Sequence, residues 1–538
     1  MKDEMDLEKI LKEIGVGRYQ LLICFALCLT QMFSNLSPLA FIFTAYDVNY
    51  RCAIPECENP SSISKFEPGW LPYASPFSST EPESRCLRYT TKKTNSSLPS
   101  SKGEGACPSD WFNASTIVEC PRSSLIFETK EKTAVNEFGL FCEENRWKIF
   151  MVGTANTLGQ FFGLPVSGII SDKFGRKSVL IIMTLSSAIC GVAQSYTGNY
   201  WTFVFLEGLN AFVSVGLYGA SLILAVELLH AKRRTMAGGI LCTINPIMGV
   251  ILALIHKHTE DWRLTLRYCY FPGILFAAYF WLIPESIRWM SFHGKHEQVI
   301  KLLGSLAERN KAKFSDSAKI ELSKKPTFEN GKSITEAFFD ILRNRSLIIR
   351  FLNSIVCWVI ATYVYYGMSI LSVNMSENKY LDFILALAIE IPGVPISAYM
   401  MEAVGRRTTI SSMYTIAAVA LIFNGFGPEN AKAKFGFFLL AKVTVAMAFD
   451  SLYVHTLEIY PTELRQSLLN LCSMVGRFGF ILAVVNSELA TWWKSLPVLV
   501  FAAACLICTA ATLASPETLN KRLPDTVKES VLLKKADK

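Results

Sequence analysis

Three charged residues, Glu390, Asp450 and Arg477, stand inside long apolar runs of the chain. A charge in hydrocarbon is costly, so such a residue faces a cavity or a partner and is a functional candidate. A guanidinium in a partly dry cavity can take a carboxylate through two parallel hydrogen bonds, so Arg477 points to an anionic or zwitterionic ligand. Glu390 and Asp450 oppose it, because either can pair with Arg477 or hold a ligand ammonium. An internal Arg477–Asp450 pair with no role in binding is the competing reading. Lys442 and Glu207 lie within two or three turns of a run's end, close enough to reach for water. Lys442 is the stronger candidate of the two. Trp358, Tyr363, Tyr365, Tyr366 and Tyr453 can offer flat rings to a cation, although a single aromatic in an apolar run more often packs. The candidate binding set is therefore Arg477, Glu390, Asp450, Lys442, Tyr365, Tyr366, Trp358 and Tyr453, and its chemistry is reversible capture of a small organic ion.

A second set lies in short polar turns. In the segment Gly168 to Lys177, Gly168 and Gly175 permit close packing and a tight turn, while Asp172 and Arg176 can pair with each other or with a helix end. Glu227 and Arg233 offer matching partners one turn away. Such a layer of charge, Asp172, Arg176, Lys177, Glu227, Arg233, Glu402, Arg406, Glu458 and Arg465, is placed to lock one orientation and release it in another. A plain loop obeying the positive-inside rule is the alternative. Enzyme signatures are thin: there is no Walker loop, no Gly-x-Ser-x-Gly and no His-Glu-x-x-His. His230, His256 and His258 show no metal-ligand spacing. Neither a metal nor a cofactor is expected.

The elements that hold these residues follow from composition. Of the residues, 51% are hydrophobic and 18% charged, against about a quarter charged in a soluble chain. Runs such as Leu21 to Phe43 and Val498 to Ala514 approach the roughly 20 apolar residues that cross a bilayer. About twelve spans are expected, near 19–44, 148–170, 178–196, 200–228, 236–256, 264–284, 346–372, 380–402, 408–426, 434–457, 466–489 and 494–515. The net charge of +8 sits in clusters beside these runs, which argues for membrane orientation over nucleic-acid binding. No cleavable signal pattern opens the chain, and the first span is expected to double as a signal anchor.

The polar segment after the first span carries Cys52, Cys57, Cys86, Cys107, Cys120 and Cys142, an even set that reads as a disulfide framework with fifteen possible connectivities. Without a Cys-x-x-Cys pair or a nearby His, zinc is the weaker reading. Asn95 and Asn113 head glycosylation acceptors, which agrees with an extracellular face. The expected organisation is a cytosolic start at 1–18, a first half at 19–284 with its outer loop at 45–147, a cytosolic linker at 285–345, a second half at 346–515 and a cytosolic tail at 516–538.

Three patterns recur about 230 residues apart. Gly168 to Lys177 is echoed by Met401 to Arg407. Glu227 with Arg233 and Arg234 is echoed by Glu458, Pro461 and Arg465. Pro284-Glu285-Ser286 is echoed by Pro516-Glu517-Thr518. Two related six-span halves can rock about a site at their interface.

Asp172-Lys-Phe-Gly175-Arg176-Lys177 resembles the signature loop of the major facilitator superfamily. The cysteine-rich loop, Pro284-Glu285-Ser286-Ile287-Arg288-Trp289 and Glu458-Ile-Tyr-Pro461-Thr-Glu-Leu-Arg465 together resemble its organic cation, organic anion and carnitine transporter family, over about Leu7 to Pro516. The resemblance implies an all-α, major-facilitator fold, alternating access, a polyspecific central cavity and a plasma-membrane address. It also implies a small organic ion as substrate, with a coupling ion or counter-substrate. Tyr365-Tyr366-Gly367 matches the family's span-seven pattern. Arg477 falls where its anion and carnitine transporters carry Arg and its cation transporters Asp, so anions or zwitterions are favoured over cations. Three positions depart: Ile287 stands in place of Pro, Val204 in place of a common span-four Arg, and Val394 in place of the anion transporters' span-eight Lys. The rival from another class is a transport-inactive receptor or scaffold that binds a partner, or itself, through the outer loop.

Overall fold

Apolar periodicity makes this chain a bundle of long helices, and three prolines mark places where they break, while Pro165, Pro246 and Pro395 lie inside continuous helices. The computed structural model describes residues 10–519, except 56, 59–65, 78–81, 93–108, 122–123, 229–230, 313, 315–342, 374, 376–377, 428–429 and 461–464. The helices are α1 (Arg18–Ser34), α2 (Leu36–Thr44), α3 (Cys142–Phe174), α4 (Arg176–Gln194), α5 (Tyr200–Glu227), α6 (Ala231–Thr259), α7 (Trp262–Tyr270) and α8 (His296–Arg309), followed by α9 (Arg345–Ser372), α10 (Lys379–Ala388), α11 (Glu390–Val404), α12 (Arg406–Phe426), α13 (Ala431–Ile459), α14 (Arg465–Asn486) and α15 (Leu496–Leu513).

Three expected spans are interrupted. A proline lacks the N–H owed to the carbonyl four residues earlier and crowds it. Pro38 thus frees Ser34 where α1 gives way to α2, and Pro392 frees Ala388 where α10 gives way to α11. Beyond α7, Pro272 opens a 3-10 stretch over Phe271–Ala278. Among the described residues, nine segments are long and apolar enough to cross a membrane. Cys142–Phe174, Ala231–Thr259 and the run that starts at Trp262 occupy the places of the second, fifth and sixth expected spans.

One core cluster draws only on residues between Leu347 and Cys508, another only on residues between Ile10 and Ala307. A third joins Phe33 to Tyr270 with Val373, Phe383, Leu387, Phe480 and Val484. Glycines let helices approach closely: a Cβ on Gly159 or Gly163 of α3 would run into the backbone of Gly208 or Phe212 on α5, a small-xxx-small contact.

Outside the bundle, β1 (Tyr50–Cys52) pairs antiparallel with β4 (Leu125–Phe127), and β2 (Leu87–Thr91) with β3 (Phe112–Glu119). Disulfides join Cys52 to Cys120 and Cys86 to Cys142, and Cys57 is also disulfide-bonded. Cys107 and Asn95 lie outside the described residues. Asn113 is the second residue of β3, and its Oδ1 accepts from the Ser115 hydroxyl at 2.6 Å.

Filling the α3–α5 contact should be felt at once. Gly159→Leu is expected to lower stability by about 1–3 kcal/mol, read as a lower thermal midpoint in detergent. Gly168→Ala, where a Cβ meets open space, should leave the midpoint unchanged.

Candidate functional site

Glu390 is the first residue of α11, directly after the break that Pro392 imposes. Its Oε1 lies 3.0 Å from Nζ of Lys442 on α13, and its Oε2 accepts from the Tyr365 hydroxyl of α9 at 2.9 Å. Lys442 does not reach for water as expected. It is fully buried, donates to Ser369 Oγ at 2.7 Å and to the Tyr365 carbonyl at 3.1 Å, and stands 3.8 Å from the centre of the Tyr365 ring. Glu207 is likewise buried and takes hydrogen bonds from Asn156 and Gln194. Both side chains turn inward because polar partners on neighbouring helices are nearer than the interface.

Arg477 does not pair with Glu390 or Asp450 within 4 Å. Its Nη1 donates to the Tyr366 hydroxyl at 3.5 Å, and its Nε is buried with no hydrogen-bond partner. Asp450 has no hydrogen bond or ion pair among the described residues. Aromatic rings lie between these charges. Tyr366 meets Phe480 at 4.8 Å and Tyr365 at 5.2 Å, and Tyr365 meets Phe449, the neighbour of Asp450, at 5.4 Å. Tyr453 is 5.5 Å from Phe449 and 6.2 Å from Tyr218 of α5. Trp358, expected with the cavity aromatics, has no surface to offer. It is 1% exposed, packs on Tyr453 and donates its indole N–H to Thr456. Tyr363 is also core, with its hydroxyl on Asn486.

The charged turns repeat in three dimensions. Gly175 and Gly405 both adopt positive φ, 96° and 98°, which favours glycine. After Gly175, Glu285 Oε1 accepts from the backbone of Arg176 and Lys177 at 2.9 and 3.0 Å. After Gly405, Glu517 accepts from the backbone of Arg406 and Arg407 at 2.9 and 3.1 Å. Each carboxylate therefore sits on the positive end of a helix. Burial pushes the Glu517 carboxyl up, but backbone N–H groups of Thr518, Leu519 and Arg406 outweigh it and hold it below the usual range. Ser286 donates to Glu227, and Thr518 donates to Glu458 at 2.6 Å.

The two turns differ at the arginine. Arg176 pairs with Asp172 at 2.8 Å, whereas Arg406 leaves Glu402 exposed and pairs with Glu458 at 3.0 Å. Lys177 lies over Phe280. The side chains of Arg233 and Arg465 are outside the described residues. Glu285 and Glu517 were missing from the expected gating set. Their signal was the Pro-Glu-Ser/Thr echo itself.

An outer network was also unforeseen. Glu131 Oε1 lies 2.8 Å from His256 Nε2, and Oε2 takes a hydrogen bond from Lys379 at the start of α10. Arg146 of α3 pairs with Glu488 beyond α14 at 2.7 Å. Glu131, Lys379, Arg146 and Glu488 border a cavity of about 1600 Å³ that also meets Phe41, Ile370 and Val484. Sequence offered no spacing rule for contacts this distant along the chain.

The sugar (and other) transporter family model matches residues 109–525. The chain is 28% identical over 95% of its length to the organic cation transporter-like protein of Drosophila melanogaster, covering 90% of that protein. It is 29% identical to solute carrier family 22 member 7 of Bos taurus, covering 98% of this chain and 96% of that one. With the organic cation/carnitine transporter 2 of Rattus norvegicus it shares 25% identity over 96% of this chain and 92% of that one. The partially occluded, inward-open xylose transporter XylE from E. coli matches with a TM-score of 0.57 at 16% identity, over 71% of this chain and 90% of that one. The fold is the major-facilitator fold.

The outer network yields a pH-dependent prediction. Burial pushes the Glu131 carboxyl up, yet the His256 and Lys379 contacts outweigh it and hold it below the usual value. A depressed carboxyl contributes stability above its unfolded value, about 4.3, that is lost as pH falls through its folded value. Glu131→Gln should therefore cost about 3 kcal/mol at neutral pH, with a difference that shrinks below about pH 4, as read by thermal unfolding in detergent.

Proposed function

We propose, on the premise that this chain belongs to the sugar (and other) transporter family, that it carries a small organic zwitterion or anion across the membrane by alternating access. The observation that carries this reading is a division of charge. Glu390 and Lys442 neutralise each other, while Arg477 and Asp450 are left without a charged partner among the described residues. One unmatched charge of each sign, with aromatic rings between, suits a solute that presents a carboxylate and a cationic group. Arg477 takes the carboxylate, Asp450 faces the cation, and Tyr365, Tyr366 and Tyr453 supply apolar surface. A carnitine-like solute has this form, and a carnitine transporter is among the relatives.

In this reading all twelve helical passes cross the bilayer as two six-helix halves at the plasma membrane. The halves rock about the site, and the repeated turns hold or release the cytosolic side. Asn113 carries a glycan on the outer loop, and a gradient or a counter-substrate drives flux.

Uptake of labelled carnitine, a dicarboxylate and tetraethylammonium by cells expressing wild type, Arg477→Asp and Asp450→Asn tests this. Arg477→Asp should lose carnitine and dicarboxylate uptake by about 10- to 100-fold, the worth of a charge-assisted hydrogen bond, and gain the quaternary ammonium. Asp450→Asn should weaken carnitine uptake and spare the dicarboxylate. An unchanged substrate range in Arg477→Asp would make Arg477 structural. No flux of any probe in wild type would favour the scaffold reading.

A further inference from the structure

Glu390 has Lys442, but one buried carboxylate in the other half of the chain, Glu207, has no such partner among the described residues. Glu207, in the second turn of α5, is 3% exposed. Its Oε1 accepts from Asn156 Nδ2 at 2.7 Å and its Oε2 from Gln194 Nε2 at 2.6 Å. Among the described residues no Lys, Arg or His nitrogen lies within 4 Å of it. Neutral amides soften the cost of a buried anion without cancelling its charge. We infer that Glu207 is a proton-binding site whose occupancy is relayed to α2.

Gln194 supports both protonation states. Its Oε1 is buried with no hydrogen-bond partner. In the present arrangement an ionised Glu207 accepts from Nε2. A half-turn of the amide exchanges the two atoms, so that a protonated Glu207 donates to Oε1 across a separation suited to O–H···O. The exchange trades an unpaired acceptor for an unpaired donor, so the protonated state keeps one hydrogen bond and the amide favours the anion only by the surplus of a charge-assisted over a neutral hydrogen bond. The only bond formed is O–H on the carboxylate, and the proton comes from water.

The relay runs through Asn156, whose Nδ2 also donates to Ser37 O and Oγ at 3.0 and 3.1 Å. Ser37 lies in α2, just past the break before Leu36. Neutralising Glu207 weakens its claim on that amide and shifts the donation toward Ser37. The other titratable groups on the surrounding helices do not compete for the proton. Tyr270 of α7 accepts from Asn210 at 2.9 Å, and Cys190 and Cys269 are buried thiols. Tyr200 donates to the Lys148 carbonyl, the Lys148 ammonium lies on Asn145, and Arg267 is held by Ser195.

The test is infrared difference spectroscopy of the purified full-length protein in nanodiscs across an acid-to-alkaline titration. The titration, run in an Asp450→Asn background so that this second partnerless carboxylate is silent, should show one buried carboxylic-acid band that vanishes on alkalinisation and shifts in heavy water. The band should be lost when Glu207→Gln is added and kept when Glu390→Gln is added. Gln194→Leu, which removes the donor to the anion, should move the midpoint alkaline by about one pH unit. That second variant keeps the test decisive should Glu207→Gln fold poorly. A band that persists in Glu207→Gln, a midpoint unmoved in Gln194→Leu, or a band that follows sodium instead of pH would overturn the proposal. None of these readouts depends on the substrate, so their failure would leave the reading of Arg477 and Asp450 standing.

Discussion

Where water is excluded, a charge must be met by an opposite charge, a dipole or a proton. In this molecule the answers differ from place to place. Lys442 answers Glu390 with full charge. Helix ends answer Glu285 and Glu517 with backbone N–H groups. Arg477 and Asp450 remain without a charged partner among the described residues, and in the proposed reading that unmatched charge is what a polar solute uses. The candidate binding region is therefore defined less by which charged residues are present than by which of them the fold has left over.

The repeated charged turns obey the same constraint and add a geometric one. A left-handed glycine at 175 or 405 reverses the chain so tightly that the next helix presents its first N–H groups to a carboxylate arriving from the end of the corresponding half. Arg176 and Arg406 then fold back on the preceding helix, through the Ser171 and Met401 carbonyls at 3.0 and 3.1 Å. Their acidic partners differ. Asp172 is local and largely exposed, and such a pair is weak. Glu458 is half-buried and comes from another helix. The turn between α11 and α12 is thus tied to α13 by charge, where the turn between α3 and α4 is not so tied by Arg176.

The membrane class, the two-part repeat and the charged turns were legible because each is a local or periodic property of the sequence. Apolar runs announce helices, and Gly175 and Gly405 announce the turns. The break at Glu390 was also within reach, since Pro392 stands two residues beyond it. What distance along the chain concealed was pairing. Lys442 and Glu390 belong to separate helices, and only their packing decides that Lys442 meets this carboxylate while Arg477 does not. Glu131 with His256 and Lys379 is a still longer example. The depth of Glu207 was misread for a related reason. Distance from a span's end suggested water, but Asn156 and Gln194 on adjacent helices were the nearer partners.

The helix α13 links these features mechanically. It carries Lys442, Asp450 and Glu458 at eight-residue steps, each a rise of about 12 Å and a rotation of about 80°. The three charges therefore face different neighbours: Lys442 meets Glu390 at the break of α11, Asp450 follows the aromatic Phe449, and Glu458 holds Arg406 at the start of α12. No proline interrupts α13 between Ala431 and Ile459, so it moves as a rod. In the proposed reading, a solute that draws on Asp450 pulls on the same helix that pins the broken helix about 12 Å away on one side and the turn after Gly405 about 12 Å away on the other. Because α11 is severed at Ile389 and its free end is fixed by the Glu390–Lys442 pair, the break can take up such a shift without stretching a continuous ladder of hydrogen bonds.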